Sequence, residues 1–204
     1  MRFDASLYLL AAGPEGVREA IEGGVDIVQL RDKDSPDRVL IERIEAVKAI
    51  SDAAGVPLII NDRPDLCLRF DAAGVHLGQE DMSVAEAREL LGPERVIGIS
   101  THSLEMALQA DEAGVVDYIA IGPVYHTPSK DTPVQPLGLE LLREVVASVG
   151  TPIVAIGGIT GDNIEEVLST GVRRVAVIGG ILGGGDPGAN ARRLRGSLDR
   201  AILG

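Results

Sequence analysis

Residues 23–33 read GGVDIVQLRDK, and this stretch holds the repeating unit of the chain. Gly24 follows a helix-like segment, where a helix end often needs a residue with a left-handed backbone. The run after it is short and apolar, which is typical of a strand buried on both faces. The run then ends in an amide and three charges, and Arg31 and Lys33 alternate across one acid. That spacing suits a site that holds an anion.

The same unit recurs along the chain. A Gly, a β-branched residue and an apolar run stand at Gly24-Val25, Gly55-Val56, Gly74-Val75, Gly114-Val115 and Gly171-Val172. Alternation of such strands with helical segments predicts a parallel sheet in an α/β fold. Eight units predict a closed (β/α)8 TIM barrel, with residues 1–204 as one domain. The alternative is an open doubly wound sheet, which favours GxGxxG in its first turn, where this chain has AAGPEG.

The pattern places the elements as follows. Strands are predicted at Leu7–Ala11, Asp26–Leu30, Pro57–Asn61, Gly74–Leu77, Val96–Ser100, Tyr118–Gly122, Ile153–Ile156 and Arg174–Ile178. Helices are predicted at Glu15–Glu22, Pro36–Ala54, Pro64–Asp71, Ser83–Leu91, Ser103–Ala113, Leu139–Val149, Asn163–Ser169 and Asn190–Leu203. Residues 123–136 carry four prolines and no helical period, and a loop of this length is usually functional.

The amino-acid composition argues against several classes of binding partner. A net charge of −12 argues against nucleic acid and anionic membranes, and 2% aromatic residues argue against base stacking. No apolar run approaches the length of a membrane helix. Cys67 stands alone, which excludes an intrachain disulfide and favours a reducing, cytoplasmic location. Small molecules are therefore the expected partners, and the sequence leaves open whether the chain forms a homo-oligomer.

Two acids follow neighbouring predicted strands. Asp62 comes after the third strand and Asp81 after the fourth, and the active site of such a barrel lies where the strands end. One or two carboxylates together with substrate phosphates are the usual ligands of Mg²⁺. Either acid alone also fits a loop or helix-capping role.

Basic residues and glycines occupy other strand ends. Arg31, Lys33 and Lys130 flank the two acids in barrel order, so metal and cations together predict a polyanion such as diphosphate. Gly157-Gly158 and Gly179-Gly180 allow backbone N–H groups to approach a phosphate, although glycines also serve plain turns. His76 is interpreted as a packed strand residue, and the sequence shows no zinc spacing and no catalytic dyad.

With these residues considered together, the sequence resembles the thiamine-phosphate synthase family. The similarity runs from LYLL (7–10) to VAVIGG (175–180) through the blocks QLRDK, IINDRPDLCL, GVHLGQEDM, VIGIS, YIAIGPVYHTPSK and AIGGI. The resemblance implies a reaction in which an aminopyrimidine diphosphate and a thiazole phosphate give thiamine phosphate and diphosphate, with Mg²⁺ as cofactor.

The resemblance also implies roles for individual residues. Asp62 and Asp81 are expected to bind Mg²⁺, and Arg31, Lys33, Ser100 and Lys130 to be catalytic. The expected substrate contacts are Gln29, Leu30, Arg31, Asp32, Lys33, Asn61, Ser100, Thr127, Pro128, Ser129, Lys130, Gly158, Ile178 and Gly179. Gly179 is a departure, because the family usually has Ser there, and a hydroxyl contact to the thiazole phosphate is missing.

Three alternatives remain open. A related thiazole tautomerase would share the barrel and the thiazole phosphate site, with His126 as a proton-transfer group, but would not need the diphosphate and Mg²⁺ residues. A phosphosugar isomerase or epimerase would need an acid and a base facing the centre, and none is identified. A non-catalytic sensor of thiamine phosphate is the third.

Overall fold

A computed structural model describes residues 4–127 and 135–203. Its eight strands form a closed barrel in sequence order, every neighbour is parallel, and β1 pairs with β8. The predicted (β/α)8 barrel is therefore confirmed. The strands are β1 Leu7–Ala11, β2 Ile27–Leu30, β3 Leu58–Asn61, β4 Gly74–Leu77, β5 Val96–Thr101, β6 Tyr118–Ile121, β7 Ile153–Ile156 and β8 Val175–Val177.

The helices cover the outside of the barrel. In the described residues they are α1 Val17–Glu22, α2 Asp37–Ala54, α3 Pro64–Arg69, α4 Val84–Leu91, α5 Leu104–Ala113, α6 Gly138–Ser148, α7 Ile164–Leu168, α8 Gly179–Leu182 and α9 Pro187–Leu203. The short α8 was not predicted, because four residues are too few to show a helical period and two of them are Gly. It begins at the predicted phosphate loop after β8.

Side chains alternate between two cores. Tyr8, Ile59, Tyr118, Val154 and their neighbours pack inside the barrel. The next residues along the strands pack between the barrel and the helices, in one larger cluster. This alternation decides which residue of each strand end faces the centre.

The repeated glycines serve two purposes. Gly55 and Gly114 end α2 and α5 with φ of 68° and 64°, as the sequence predicts for helix caps. Gly74 is different: it lies inside β4, and a Cβ there would be 2.0 Å from the carbonyl oxygen of Val96. The prediction of a cap at Gly74 was therefore wrong, and this glycine permits close approach of β4 and β5.

No helix in the described residues is long and apolar enough to cross a membrane.

Candidate active site

A cavity of about 320 Å³ opens at the carboxyl ends of the strands. It brings together eight residues predicted from the sequence, which come from β2, β3, β5 and the segments after β6, β7 and β8. They are Gln29, Arg31, Asn61, Ser100, Thr127, Gly158, Ile178 and Gly179. The position of the cavity is the one expected for the active site of this fold.

The floor of the cavity is a line of hydrogen-bonded polar side chains, which we call the interior network. Gln29 Nε2 donates to the Tyr8 hydroxyl over 2.9 Å, and the hydroxyls of Tyr8 and Tyr118 are 2.8 Å apart. His76 Nδ1 is 2.8 Å from the Tyr118 hydroxyl, and His76 Nε2 is 2.8 Å from Ser100 Oγ. Five side chains from five strands are thus linked across the barrel.

The two tyrosines of the network are fully buried. Burial raises the pKa of both Tyr8 and Tyr118, so both keep their hydroxyl protons. Tyr118 fits there only because its neighbour on β5 is Gly98. A Cβ on Gly98 would lie 2.0 Å from Cζ of the Tyr118 ring.

One side of the mouth is charged, and Arg31, Lys33, Asp62 and Asp81 form what we call the charged rim. Lys33 Nζ is 2.7 Å from Asp62 Oδ2, and the Gly78 N–H donates to Asp81 Oδ2 over 2.7 Å. Asp62 has a φ of 60°, a left-handed conformation in which its N–H donates to the His76 carbonyl over 2.8 Å.

The pKa of Asp62 is raised above its ordinary value. Burial is the largest cause, and the neighbouring Asp81 carboxyl adds to the rise, while Lys33 opposes it. Two adjacent carboxylates, one of which raises the pKa of the other, are a donor set that fits a hard cation. Within residues 4–127 and 135–203, no group of three or more His, Cys, Asp or Glu side chains could hold a metal.

Two predicted contacts lie elsewhere. The Leu30 side chain packs between the barrel and the helices and is 1% exposed. The Asp32 carboxylate accepts hydrogen bonds from Arg43 and from the Ser35 N–H, so it orders the loop after β2. Of QLRDK, Gln29 and Arg31 line the cavity, and Lys33 lies outside the lining, where it pairs with Asp62. The two alternate side chains, Leu30 and Asp32, point away.

The opposite side of the mouth is backbone, and Gly157, Gly158, Gly179 and Gly180 form what we call the glycine rim. Gly158 has a φ of 66°, and a Cβ there would lie 2.7 Å from the His126 carbonyl oxygen. Its own carbonyl accepts a 2.9 Å hydrogen bond from Asn163 Nδ2. A second, more open cavity of about 240 Å³ adjoins this rim and shares Gly179 and Gly180 with the first.

Sequence reasoning missed part of the cavity wall. His76 is a buried residue of β4, as interpreted from the sequence, and it also lines the cavity and contacts Ser100, which was not predicted. His102 also lines the cavity, with Nδ1 2.5 Å from the Gly122 carbonyl oxygen. Alternation along β1 and β6 could have placed Tyr8 and Tyr118 inside the barrel. Pro128, Ser129 and Lys130 lie outside the described residues, so their predicted contacts stay predictions.

Comparison with known proteins identifies the family. A family model described as thiamine monophosphate synthase matches residues 6–181. The chain belongs to this family. It is 43% identical to the thiamine-phosphate synthase of Shouchella clausii, over 92% of this chain and 89% of the relative. It is 44% identical to the one of Desulfitobacterium hafniense strain Y51, over 95% and 97%. A solved thiamine phosphate pyrophosphorylase from Pyrococcus furiosus is 38% identical, with a TM-score of 0.87 and 97% of both chains covered.

Proposed function

We propose that this chain is a transferase that joins an aminopyrimidine diphosphate to a thiazole phosphate, giving thiamine phosphate and diphosphate. The observation that carries the proposal is the charged rim. Lys33, Asp62 and Asp81 stand beside a cavity lined by Gln29 and Ser100, so cation and carboxylate groups adjoin a neutral polar pocket. A ligand with an anionic end and an uncharged ring that hydrogen-bonds matches that arrangement.

The reaction is a substitution at the methylene carbon of the pyrimidine. The bond between this carbon and the diphosphate oxygen breaks, and its electron pair leaves with the diphosphate. The electron-rich aminopyrimidine stabilises positive charge on the methylene, so departure can precede attack. The lone pair of the thiazole nitrogen then forms the new carbon–nitrogen bond. No proton has to move, so the step needs no acid and base dyad.

The residues of the cavity have distinct parts in this step. Arg31 lines the cavity and Lys33 pairs with Asp62 beside it, so both would stand near the negative charge that grows on the leaving group. Preformed charges stabilise such a transition state. Gln29, Asn61 and Ser100 orient the pyrimidine ring. Asp62 and Asp81 would hold Mg²⁺, which when bound neutralises charge on the diphosphate.

The thiazole phosphate is assigned to the glycine rim. Gly158 and Gly179 line the cavity with Thr127 and Ile178, and side chains are small enough there for the backbone to approach a phosphate. The two substrates then meet across the cavity, with the anionic group of each at its own side of the mouth.

One assay tests this function. Purified protein is mixed with both substrates and MgCl₂, and diphosphate release is measured together with thiamine phosphate. We expect both products in equal amounts, and neither when one substrate is omitted or EDTA is added. Absence of thiamine phosphate with both substrates and MgCl₂ present would overturn the proposal.

The related thiazole tautomerase is the second candidate. It is favoured by His126, which lines the cavity next to Thr127 and offers a group that can transfer a proton. The charged rim has no role in that reaction, which is why we prefer the synthase. Isomerisation of a thiazole phosphate tautomer without any pyrimidine diphosphate would favour the tautomerase.

Two broader expectations accompany the proposed function. We propose that residues 1–204 act as one domain, which is supported by a barrel that closes between β1 and β8. A cytoplasmic location, expected from the lone Cys67, stays a prediction.

A further inference from the structure

The interior network contains an unpaired acceptor. Gln29 is 2% exposed, and its Oε1 atom has no hydrogen-bond partner in the described part of the chain. Its Nε2 atom is already committed to Tyr8. A buried carbonyl oxygen without a partner is costly, and here it belongs to a residue on the cavity wall. The position therefore calls for a donor on the ligand.

The far end of the network is Ser100, whose hydroxyl can donate or accept. Which of these it offers to a ligand depends on the tautomer of His76, because a neutral imidazole carries one donor and one acceptor. If His76 Nε2 holds the proton, it donates to Ser100 Oγ, and the Ser100 proton is free for the cavity. If Nδ1 holds the proton, Ser100 donates to His76 instead.

The direction of hydrogen bonding is favoured by cooperativity. Gln29 Nε2 can only donate, so the Tyr8 oxygen accepts at the start of the network. A hydroxyl that accepts one hydrogen bond becomes a stronger donor, so a head-to-tail order is the mutually strengthening one. In that order Tyr8 donates to Tyr118, Tyr118 donates to His76 Nδ1, and His76 Nε2 donates to Ser100.

We propose that Tyr8, Tyr118 and His76 are positioning residues that fix this direction, so that the cavity presents an acceptor at Gln29 and a donor at Ser100. An aminopyrimidine offers the complement: its amino group donates and its ring nitrogens accept. A 4-oxo pyrimidine offers the reverse, with an accepting oxygen and a donating ring N–H. The network thus selects the amino form of the pyrimidine, an inference that rests on the proposed function for the identity of the substrate.

The tautomer of His76 gives a direct test on the free protein. The double variant His102→Gln/His126→Gln replaces two of the three histidines of the chain, so His76 is the one that remains. The protonation of its two ring nitrogens can then be measured by ¹⁵N NMR after labelling. We expect a proton on Nε2 and an unprotonated Nδ1. A proton on Nδ1 would overturn the proposal. This measurement needs no turnover, so it stands even if the enzyme fails to make thiamine phosphate.

Binding of two probes tests the selection. Calorimetry without thiazole phosphate gives the Kd of 2-methyl-4-amino-5-(diphosphooxymethyl)pyrimidine and of its 4-oxo counterpart. We expect the wild type to prefer the amino compound by about 100-fold or more, since a site that pairs a polar group rejects the mismatched analogue strongly. Tyr118→Phe breaks the network in the middle and should reduce that preference by about 10-fold or more.

A matched control separates this effect from general damage. Tyr125→Phe also removes one hydroxyl, which donates to Glu166 Oε2 over 3.1 Å outside the cavity lining, and should leave the preference unchanged. If Tyr118→Phe does not fold, Tyr8→Phe interrupts the same network one step earlier. An unchanged amino-to-oxo preference in a folded Tyr118→Phe or Tyr8→Phe protein would contradict the proposal.

Discussion

The half of the mouth that follows β2, β3 and β4 presents charged side chains, whereas the half that follows β7 and β8 presents backbone. In the charged rim, Lys33 and Asp62 are 2.7 Å apart and Asp81 is fixed by the Gly78 N–H. In the glycine rim, Gly158 and Gly180 leave no room for a side chain. Under the proposed function, the two anionic groups would therefore be held by different means, one by charged side chains and a cation and the other by close N–H groups.

The largest effect should come from the carboxylates. We expect Asp62→Asn and Asp81→Asn each to lower kcat by on the order of 100-fold or more, because each removes a charge that would hold Mg²⁺ near the leaving group. Asn tolerates the left-handed backbone of Asp62, so the protein should still fold. The measurement is thiamine phosphate formation against MgCl₂ concentration.

A control for this prediction is available outside the site. Asp71 also has a left-handed backbone, with a φ of 51°, but it is exposed and paired with Arg95. Asp71→Asn should therefore leave the activity and the Mg²⁺ requirement unchanged. Full activity with full Mg²⁺ dependence in both Asp62→Asn and Asp81→Asn would show that the metal assignment is wrong. The proposed difference between the two rims in how they hold an anion would then no longer stand.

A smaller effect is expected at Lys33. Lys33→Gln should raise the KM for the pyrimidine diphosphate by about 10-fold and weaken its dependence on salt, because a cation near the diphosphate is lost. Stability should change little, since an ion pair with a half-exposed Lys contributes only about 0–1 kcal/mol. Steady-state kinetics at two salt concentrations and a thermal melt measure both quantities.

Lys48 provides the comparison for Lys33. It forms a 2.7 Å ion pair with Asp52 on the surface of α2, so Lys48→Gln removes the same charge and a similar pair far from the mouth. We expect no change in KM for either substrate. Equal effects of the two substitutions would mean that net charge alone, and no local contact, draws the diphosphate to the enzyme.

How much of the two halves of the cavity mouth can be predicted from the sequence depends on how far apart along the chain the interacting residues lie. Strand and helix periods are local, so the eight units could be predicted, whereas Gln29, Asn61 and Ser100 were expected to contact substrate from the resemblance to the family. The interior network could not be predicted, because it needs Tyr118 of β6 to lie over Gly98 of β5, a fit between strands that are adjacent only in the folded barrel. Asp32 was expected to contact substrate from the family resemblance, and its actual partner, Arg43, lies eleven residues further along the chain on α2.

The smallest expected effect is at the glycine rim, where a substitution should strengthen the binding of thiazole phosphate. Gly179 has an ordinary backbone, and a Cβ there would meet nothing within 4 Å, although the residue lines the cavity. Gly179→Ser should therefore fit and add a hydroxyl beside the thiazole phosphate. We expect the KM for thiazole phosphate to fall by about threefold, near the lower end of what a typical hydrogen bond contributes, and the KM for the pyrimidine diphosphate to stay the same.

Gly180 is the matched control for Gly179. The two glycines are adjacent in the glycine rim, but only Gly179 has room for a side chain. A Cβ on Gly180 would lie 2.5 Å from the carbonyl oxygen of Ile159, so Gly180→Ser has to push the loop after β7 away from α8. We expect this variant to bind thiazole phosphate more weakly than the wild type. If Gly179→Ser also bound it more weakly, the phosphate would occupy the space of the new side chain, and the glycine rim would hold its ligand closer to the backbone of residue 179 than a hydroxyl allows.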